Sequence, residues 1–198
     1  MVPFLDLKKI NLRYQAELIS ATSGFLDEGQ YILGSAVSQF ENEFAAYCKT
    51  KYCVGVGNGL DALRLILEGY KILGKLKTGD KVLVAANSYI ATILAIKQAG
   101  MIPVFVETEG RLFNFDVEKL KQIQLDGVKA VFVTHLYGQL GPVEDLKAFA
   151  KANDLLLIED AAQAHGARFS TENTENSIKT TDFLAGCLGH AAAFSLYP

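Results

Sequence analysis

Three cysteines and three histidines are too few, and too scattered, for a disulfide framework or a metal centre. Cys48, Cys53 and Cys187 are odd in number and form no Cys-x-x-Cys pair, so buried free thiols are expected. The histidines lack metal-ligand spacing, and no metal is expected. No run approaches the ~20 apolar residues that span a bilayer. Met1-Val2-Pro3-Phe4-Leu5-Asp6 has neither the basic start nor the apolar core of a signal peptide. Cytoplasm is therefore the expected location, with no membrane partner. Positive charge is not in excess either. A net charge of −3 and a pI near 5.6 argue against nucleic acid as a partner. No internal repeat is present.

What the chain does have is apolar residues in quantity. Half of its 198 residues are hydrophobic and the mean hydropathy is +0.19, as expected for a sheet covered on both faces. The size suits one α/β domain. Short apolar runs predict strands over Tyr52–Val56, Lys81–Ala85, Ile102–Val106, Ala130–Thr134, Leu155–Glu159 and Ala191–Ser195. Helical periodicity predicts helices over Leu7–Ala21, Val37–Tyr47, Leu60–Leu73, Tyr89–Gln98, Val117–Ile123 and Val143–Ala152. Ser35 and Asp116 suit N-caps, Pro142 a first helical position and Gly100 a left-handed stop. Strands alternating with helices imply right-handed βαβ units and a mainly parallel sheet. The polar segment Ser170–Asp182 reads as a surface loop. Asn173 begins Asn-Thr-Glu, which is no glycosylation acceptor.

Two segments carry candidate chemistry. Leu155-Leu156-Leu157-Ile158 is an apolar run too short for a helix, and it ends in Glu159-Asp160-Ala161-Ala162-Gln163-Ala164-His165-Gly166. Ligands of open α/β sheets bind past the carboxyl ends of strands. An acid fixed there can hold a proton on a cationic heterocycle, such as the pyridine ring of pyridoxal phosphate. The competing reading has both acids facing solvent. In the second segment, Val54-Gly55-Val56-Gly57-Asn58-Gly59-Leu60-Asp61-Ala62-Leu63 runs through glycines into an amphipathic helix. Its N–H groups suit a phosphate, although a tight turn without a ligand fits equally. A dinucleotide fingerprint is disfavoured, because Leu60 stands where its third glycine belongs and Ala85-Ala86 where an acid would meet a ribose. No Gly-Lys-Ser/Thr follows, so it is not a Walker loop.

Five segments in order then match one family. They are Gly57-Asn58-Gly59-Leu60-Asp61-Ala62-Leu63, Asn87-Ser88-Tyr89-Ile90-Ala91-Thr92, His135-Leu136-Tyr137-Gly138-Gln139, Asp160-Ala161-Ala162-Gln163-Ala164-His165-Gly166 and Ala193-Phe194-Ser195-Leu196-Tyr197-Pro198. The opening Pro3-Phe4-Leu5-Asp6-Leu7 and Gly29-Gln30-Tyr31-Ile32-Leu33-Gly34 fit as well. The whole chain, residues 1–198, resembles the N-terminal half of the DegT/DnrJ/EryC1/StrS nucleotide-sugar aminotransferases. This implies the large domain of the aspartate-aminotransferase architecture (fold type I), with a mainly parallel sheet between helices, and pyridoxal 5′-phosphate as cofactor. It also implies a homodimer with shared active sites. By the same resemblance, Asp160 pairs with the pyridinium nitrogen, Gln163 bonds the phenolic oxygen and Tyr89 stacks on the ring. Asn58, Gly59 and Leu60 supply main-chain contacts to the phosphate, and Ser195 adds a hydroxyl. Tyr31 and His135 lie on the substrate side. Each has a plainer alternative: Tyr89 packed in a core, Ser195 bonded to backbone, His135 a satisfied core histidine. His165 reads as structural, and Cys48 and Cys53 as core filling.

In the family, Phe-Ser-x-Tyr-Pro leads through a variable residue to the lysine that carries the cofactor, so that lysine is expected two positions beyond Pro198. Residues 1–198 contain no credible substitute, and the small C-terminal domain is likewise expected outside them. Two departures from the family pattern stand out: His190 follows Ala185-Gly186-Cys187-Leu188-Gly189 where Asp is usual, and Glu107 replaces a commoner Asp. The expected activity is ping-pong transamination. L-glutamate converts the cofactor to pyridoxamine 5′-phosphate, and a nucleotide-linked keto sugar takes the amine. Asn58-Gly59-Leu60-Asp61 is similar to members acting on dTDP-linked 3-keto-6-deoxyhexoses. A sugar 3-dehydratase with His replacing the lysine is one alternative, and a non-catalytic cofactor-binding or regulatory homologue another.

Overall fold

The computed structural model of the chain describes residues 3–170 and 182–196. It divides into two compact units, one of residues 1–45 with 52–55 and one of residues 46–51 with 56–198. Among the described residues, no helix is long and apolar enough to cross a membrane.

The first unit holds α1 (Leu7–Asn11), α2 (Gln15–Glu28) and most of α3 (Ser35–Cys48). One helix was expected over Leu7–Ala21, and two are found. Arg13 and Tyr14 donate to Ile10 and Asn11, three residues back, so the α-ladder lapses and restarts at Tyr14. Asp6 caps α1 by accepting from the Lys9 N–H at 2.9 Å. Ser35 is not the cap of α3 but its first residue, and its hydroxyl donates to Glu28 at 3.1 Å. The expected strand Tyr52–Val56 does not form. The Gly55 N–H goes to the Glu41 carboxylate at 2.7 Å instead of a neighbouring strand. Burial, and Glu41 beside it, push the Cys53 thiol up from its ordinary value.

The second unit contains α4 (Gly59–Ile72), β1 (Lys81–Ala85), α5 (Ile90–Gln98), β2 (Ile102–Val106), α6 (Val117–Leu120) and β3 (Val128–Thr134). A 3₁₀ turn over Leu136–Gly138 follows, then α7 (Val143–Ala152), β4 (Leu156–Asp160), β5 (Arg168–Ser170), β6 (Asp182–Leu184) and β7 (Ala191–Ala193). Five strands form one sheet in the order β2-β1-β3-β4-β7, with every pair parallel. Pro103 is tolerated because β2 lies at the sheet's edge, where a missing donor costs little. The short β5 and β6 pair separately and antiparallel, with Ser170 opposite Asp182. The ends of the expected polar loop are thus strand residues, while 171–181 lie outside the described residues.

Alternation within the strands divides the core in two. Val82, Val84, Ala130, Phe132 and Ile158 face Leu63 and Leu67 of α4 and Ala95 and Ile96 of α5. Leu83, Val131, Val133 and Leu157 face Leu120 of α6 and Leu146 and Ala150 of α7. Asp116 caps α6 through the N–H groups of Glu118 and Lys119, as expected. That helix stops at Leu120, short of Ile123, as bonding again tightens to three residues. Pro142 is the residue before α7 rather than its first. Gly100 follows α5 at φ +76°, the left-handed stop its position suggested.

Phe132 is fully buried in the first of these cores. Phe132→Ala should cost about 3–5 kcal/mol of unfolding free energy in urea titrations. Phe105→Ser, at a half-exposed position of β2, should stay within about 1 kcal/mol of the parent.

Candidate active site

Parallel order carries chemistry to one end of the sheet. β1, β3, β4 and β7 finish at Ala85, Thr134, Asp160 and Ala193. From β1 the chain turns to β2 on one side, and β3 lies on the other, which is the divergence where open α/β sheets bind ligands. Across it the hydroxyls of Ser88 and Thr134 meet at 3.2 Å. The segment leading to Tyr89 is thereby pinned to the end of β3. Tyr89 itself is the N-cap residue of α5 with an exposed ring, so packing in the core does not describe it.

The two acids ending β4 point to opposite faces, and neither faces solvent. Glu159 is 0% and Asp160 6% exposed. Asp160 continues the face of Ile158 and meets α5, where it accepts a 2.6 Å hydrogen bond from the Thr92 hydroxyl at Oδ2. Its Oδ1 accepts from the Ala162 N–H at 3.3 Å. Glu159 continues the face of Leu157. Its Oε2 accepts from His135 Nε2 at 3.0 Å and from the Gly186 N–H at 2.8 Å. Its Oε1 accepts from the N–H groups of Leu188 and Gly189, each at 2.7 Å. Burial alone would raise this carboxyl's pKa, but the His135 bond and the Gly186 and Gly189 N–H groups outweigh it and hold the pKa below its ordinary value.

Glu159 escaped the sequence reading, because its donors lie up to thirty positions away. So did Thr92. The signal available was a Glu-Asp pair closing an apolar strand, where period-two alternation must send one acid to each face.

His135 is fully buried, with both ring nitrogens engaged by the protein. The Gly141 N–H donates to Nδ1 at 3.2 Å, so Nε2 carries the proton given to Glu159. Of the two expectations for His135, the satisfied core histidine matches this geometry. Beyond it, the Tyr137 N–H donates to Gln163 Oε1 at 2.7 Å, which leaves the amide's NH₂ end for another acceptor. Tyr137 adopts φ +57° to do so. His165 lies 5.2 Å from the Phe194 ring, and burial lowers its pKa. Tyr31 belongs to the first unit, where its hydroxyl donates to the Leu26 carbonyl at 3.2 Å.

At the start of α4, Asn58 accepts the Asp61 N–H at 2.9 Å and returns a bond from Nδ2 to the Asp61 carboxylate at 3.0 Å. The Ala62 N–H goes to the Asn58 carbonyl. Gly59 and Leu60 therefore keep the two first-turn N–H groups that the helix itself cannot satisfy. A β-carbon on Gly59 would sit 2.9 Å from Cβ of Ser195 and 3.3 Å from its hydroxyl oxygen. Only glycine lets the end of β7 come so close, and the approach sets a hydroxyl beside the positive end of a helix. That arrangement could hold an anion. Among the described residues, no cluster of His, Cys, Asp or Glu could hold a metal ion.

Residues 13–198 match the DegT/DnrJ/EryC1/StrS aminotransferase family. The chain belongs to it. It is 46% identical to dTDP-3-amino-3,6-dideoxy-alpha-D-galactopyranose transaminase of Aneurinibacillus thermoaerophilus, a match covering 98% of this chain and 50% of that protein. The chain thus spans about half the length of that relative. The crystal structure of S. venezuelae DesV in complex with a ketimine intermediate is 42% identical over 85% of this chain and 44% of its own, with TM-score 0.80. A GDP-4-keto-6-deoxymannose-3-dehydratase, ColD, with bound GDP-perosamine superposes with TM-score 0.78 at 27% identity, over 90% of this chain and 44% of its own. The α/β fold expected of the family is the one found.

The residues present fit pyridoxal phosphate: a helix start and hydroxyl that could hold its phosphate, a buried acid on a neighbouring strand end, a side-chain amide whose NH₂ has no partner among the described residues, and an exposed ring.

Two consequences are measurable. Because its pKa is lowered on folding, ionised Glu159 stabilises the protein above the ordinary carboxylate pKa. That stability is lost as pH falls through the lowered value. Glu159→Gln should cost about 3–5 kcal/mol at pH 7, and the gap from the parent should narrow in urea titrations carried into the acid range. Gly59→Ala should displace Ser195 and weaken pyridoxal phosphate binding at least tenfold in fluorescence titrations, with the far-UV circular dichroism unchanged.

Proposed function

We propose that the chain is the cofactor-binding part of a pyridoxal-phosphate-dependent nucleotide-sugar aminotransferase. The observation that carries this reading is the pairing of the Gly59–Ser195 cradle with the buried Asp160 carboxylate at neighbouring strand ends. The family and the 46% identity to a dTDP-sugar transaminase support it.

When bound, pyridoxal phosphate accepts and returns an amino group and acts as an electron sink. The chain's residues hold and bias it. The N–H groups of Gly59 and Leu60, with Asn58 shaping the turn and Ser195 adding its hydroxyl, take the phosphate. Asp160 keeps a proton on the ring nitrogen. Gln163 presents its NH₂ end to the phenolic oxygen, since Tyr137 occupies its carbonyl end. Tyr89 covers a ring face. A lysine outside residues 1–198, expected from the family's Phe-Ser-x-Tyr-Pro pattern, would move the proton between carbon centres.

The substrate is a dTDP-linked 3-keto-6-deoxy sugar, and L-glutamate is the amino donor. Asn58-Gly59-Leu60-Asp61 and the Aneurinibacillus relative support this choice over the dehydration performed by ColD. The working unit is a homodimer.

With full-length protein, L-glutamate should bleach the absorbance of bound pyridoxal phosphate, and a dTDP-linked keto sugar should restore it. A chain that binds the cofactor but never responds to glutamate would be a non-catalytic or regulatory relative, whereas His in place of the cofactor lysine would mark the dehydratase. Asp160→Asn should keep the fold and lose at least a hundredfold in transamination rate. Near-normal rates in that variant would sink the assigned role.

A further inference from the structure

Thr92 is a polar residue with no exposure, inside a helix whose other buried residues, Ala95 and Ile96, are apolar. Valine would fill the same space without the cost of burying a hydroxyl, so the hydroxyl needs a reason. A helical threonine commonly bonds back to its own helix. Here Oγ1 instead reaches across to Oδ2 of Asp160, at 2.6 Å. That length lies at the short end of the range for an O–H···O hydrogen bond. β-Branching restricts χ1, so the donor is held rather than searching.

The position of Thr92 in α5 adds a second link. Its N–H donates to the Tyr89 carbonyl at 3.0 Å, closing the first turn. Ser88, on the other side of Tyr89, is tied to Thr134 at the end of β3. Two hydroxyls four positions apart therefore bracket Tyr89 and fasten its segment to the ends of β3 and β4. Asp160, already paired in register with Thr134, has its second oxygen on the Ala162 N–H. Both carboxylate oxygens thus have a donor.

We propose that Thr92 is a positioning residue for the reaction: its hydroxyl holds the Asp160 carboxylate in the orientation that meets the nitrogen of the bound pyridine ring and so supports the proton there. This rests on the functional reading above, and it adds a residue that touches neither cofactor nor substrate. A valine there keeps shape and burial and removes only the donor. A serine keeps the donor and removes a methyl.

The test uses full-length protein loaded with pyridoxal phosphate labelled with ¹⁵N in the ring. In the parent the nitrogen signal should be that of a protonated ring. In Thr92→Val it should move toward the unprotonated value, and the glutamate half-reaction should slow about 10- to 100-fold, the loss of one hydrogen bond to a charged group. Thr92→Ser should return both toward the parent, which a purely structural role would not require of the ¹⁵N signal. An unchanged signal and rate in Thr92→Val would overturn the role of Thr92 and leave the aminotransferase reading standing. Failure of the parent to bind the cofactor would overturn both.

Discussion

The site end of the second unit depends on one carboxylate that water does not reach. Glu159 is the penultimate residue of a buried strand, and an ion there is tolerable only if donors replace its hydration. Four do. Three of them are backbone N–H groups of the loop after β6, so the carboxylate dictates that loop's path. The same loop delivers the His190 N–H to the Leu157 carbonyl at 2.7 Å and enters β7 beside β4. β7 in turn sets Ser195 against Gly59. The fourth donor, His135, ties in the turn that offers the Tyr137 N–H to Gln163. A group not among the proposed contacts thus locates two that are proposed to bind. His190, a departure from the family's usual Asp, also accepts the Leu157 N–H at Nδ1 and reinforces this staple.

How much of this could be read in advance varied with the physics of each element. Lys81–Ala85, Ile102–Val106 and Val143–Ala152 were legible to the residue, because their apolar period or run is a local property. Tyr52–Val56 had the composition of a strand, yet strands are defined by pairing, and Gly55 found Glu41 instead. β5 and β6 are three residues each, too short for a pattern. In the site, the glycine-rich helix start and the acid at a strand end were legible because chemistry demands those residue types there. Which neighbours would satisfy Asp160 and Glu159 was not, since Thr92 and Gly186 are distant in sequence and ordinary in type. His135 shows the same limit: its residue type permits two roles, and only its burial and its partners distinguish them.

The rim of the site is under strain that its centre does not share. Phe113 and Tyr137 both occupy the left-handed region, at φ +55° and +57°. Neither is glycine, and each pays roughly 1–2 kcal/mol for the conformation. Their rings meet edge to face at 6.4 Å, and Asn87 donates to the Phe113 carbonyl at 2.9 Å. The chain between Thr108 and Phe115 is closed by an isolated antiparallel bridge. Two strained residues are thus held by contacts to each other and to the segment before α5. Strain kept at a rim beside a proposed cofactor contact is characteristic of functional sites.

The order of the two letters at the end of β4 has a consequence for how this sequence can change. Side chains on a strand alternate strictly, so Glu159 and Asp160 are sorted by parity alone. An insertion or deletion of one residue in β4 would present the longer acid to Thr92 and the shorter one to the loop, leaving a charge stranded on each face. Reversing the pair to Asp-Glu would do the same without moving the backbone. The dipeptide is therefore not two interchangeable acids but a two-digit address, readable only in one frame. Drift in the length of this chain must be absorbed elsewhere.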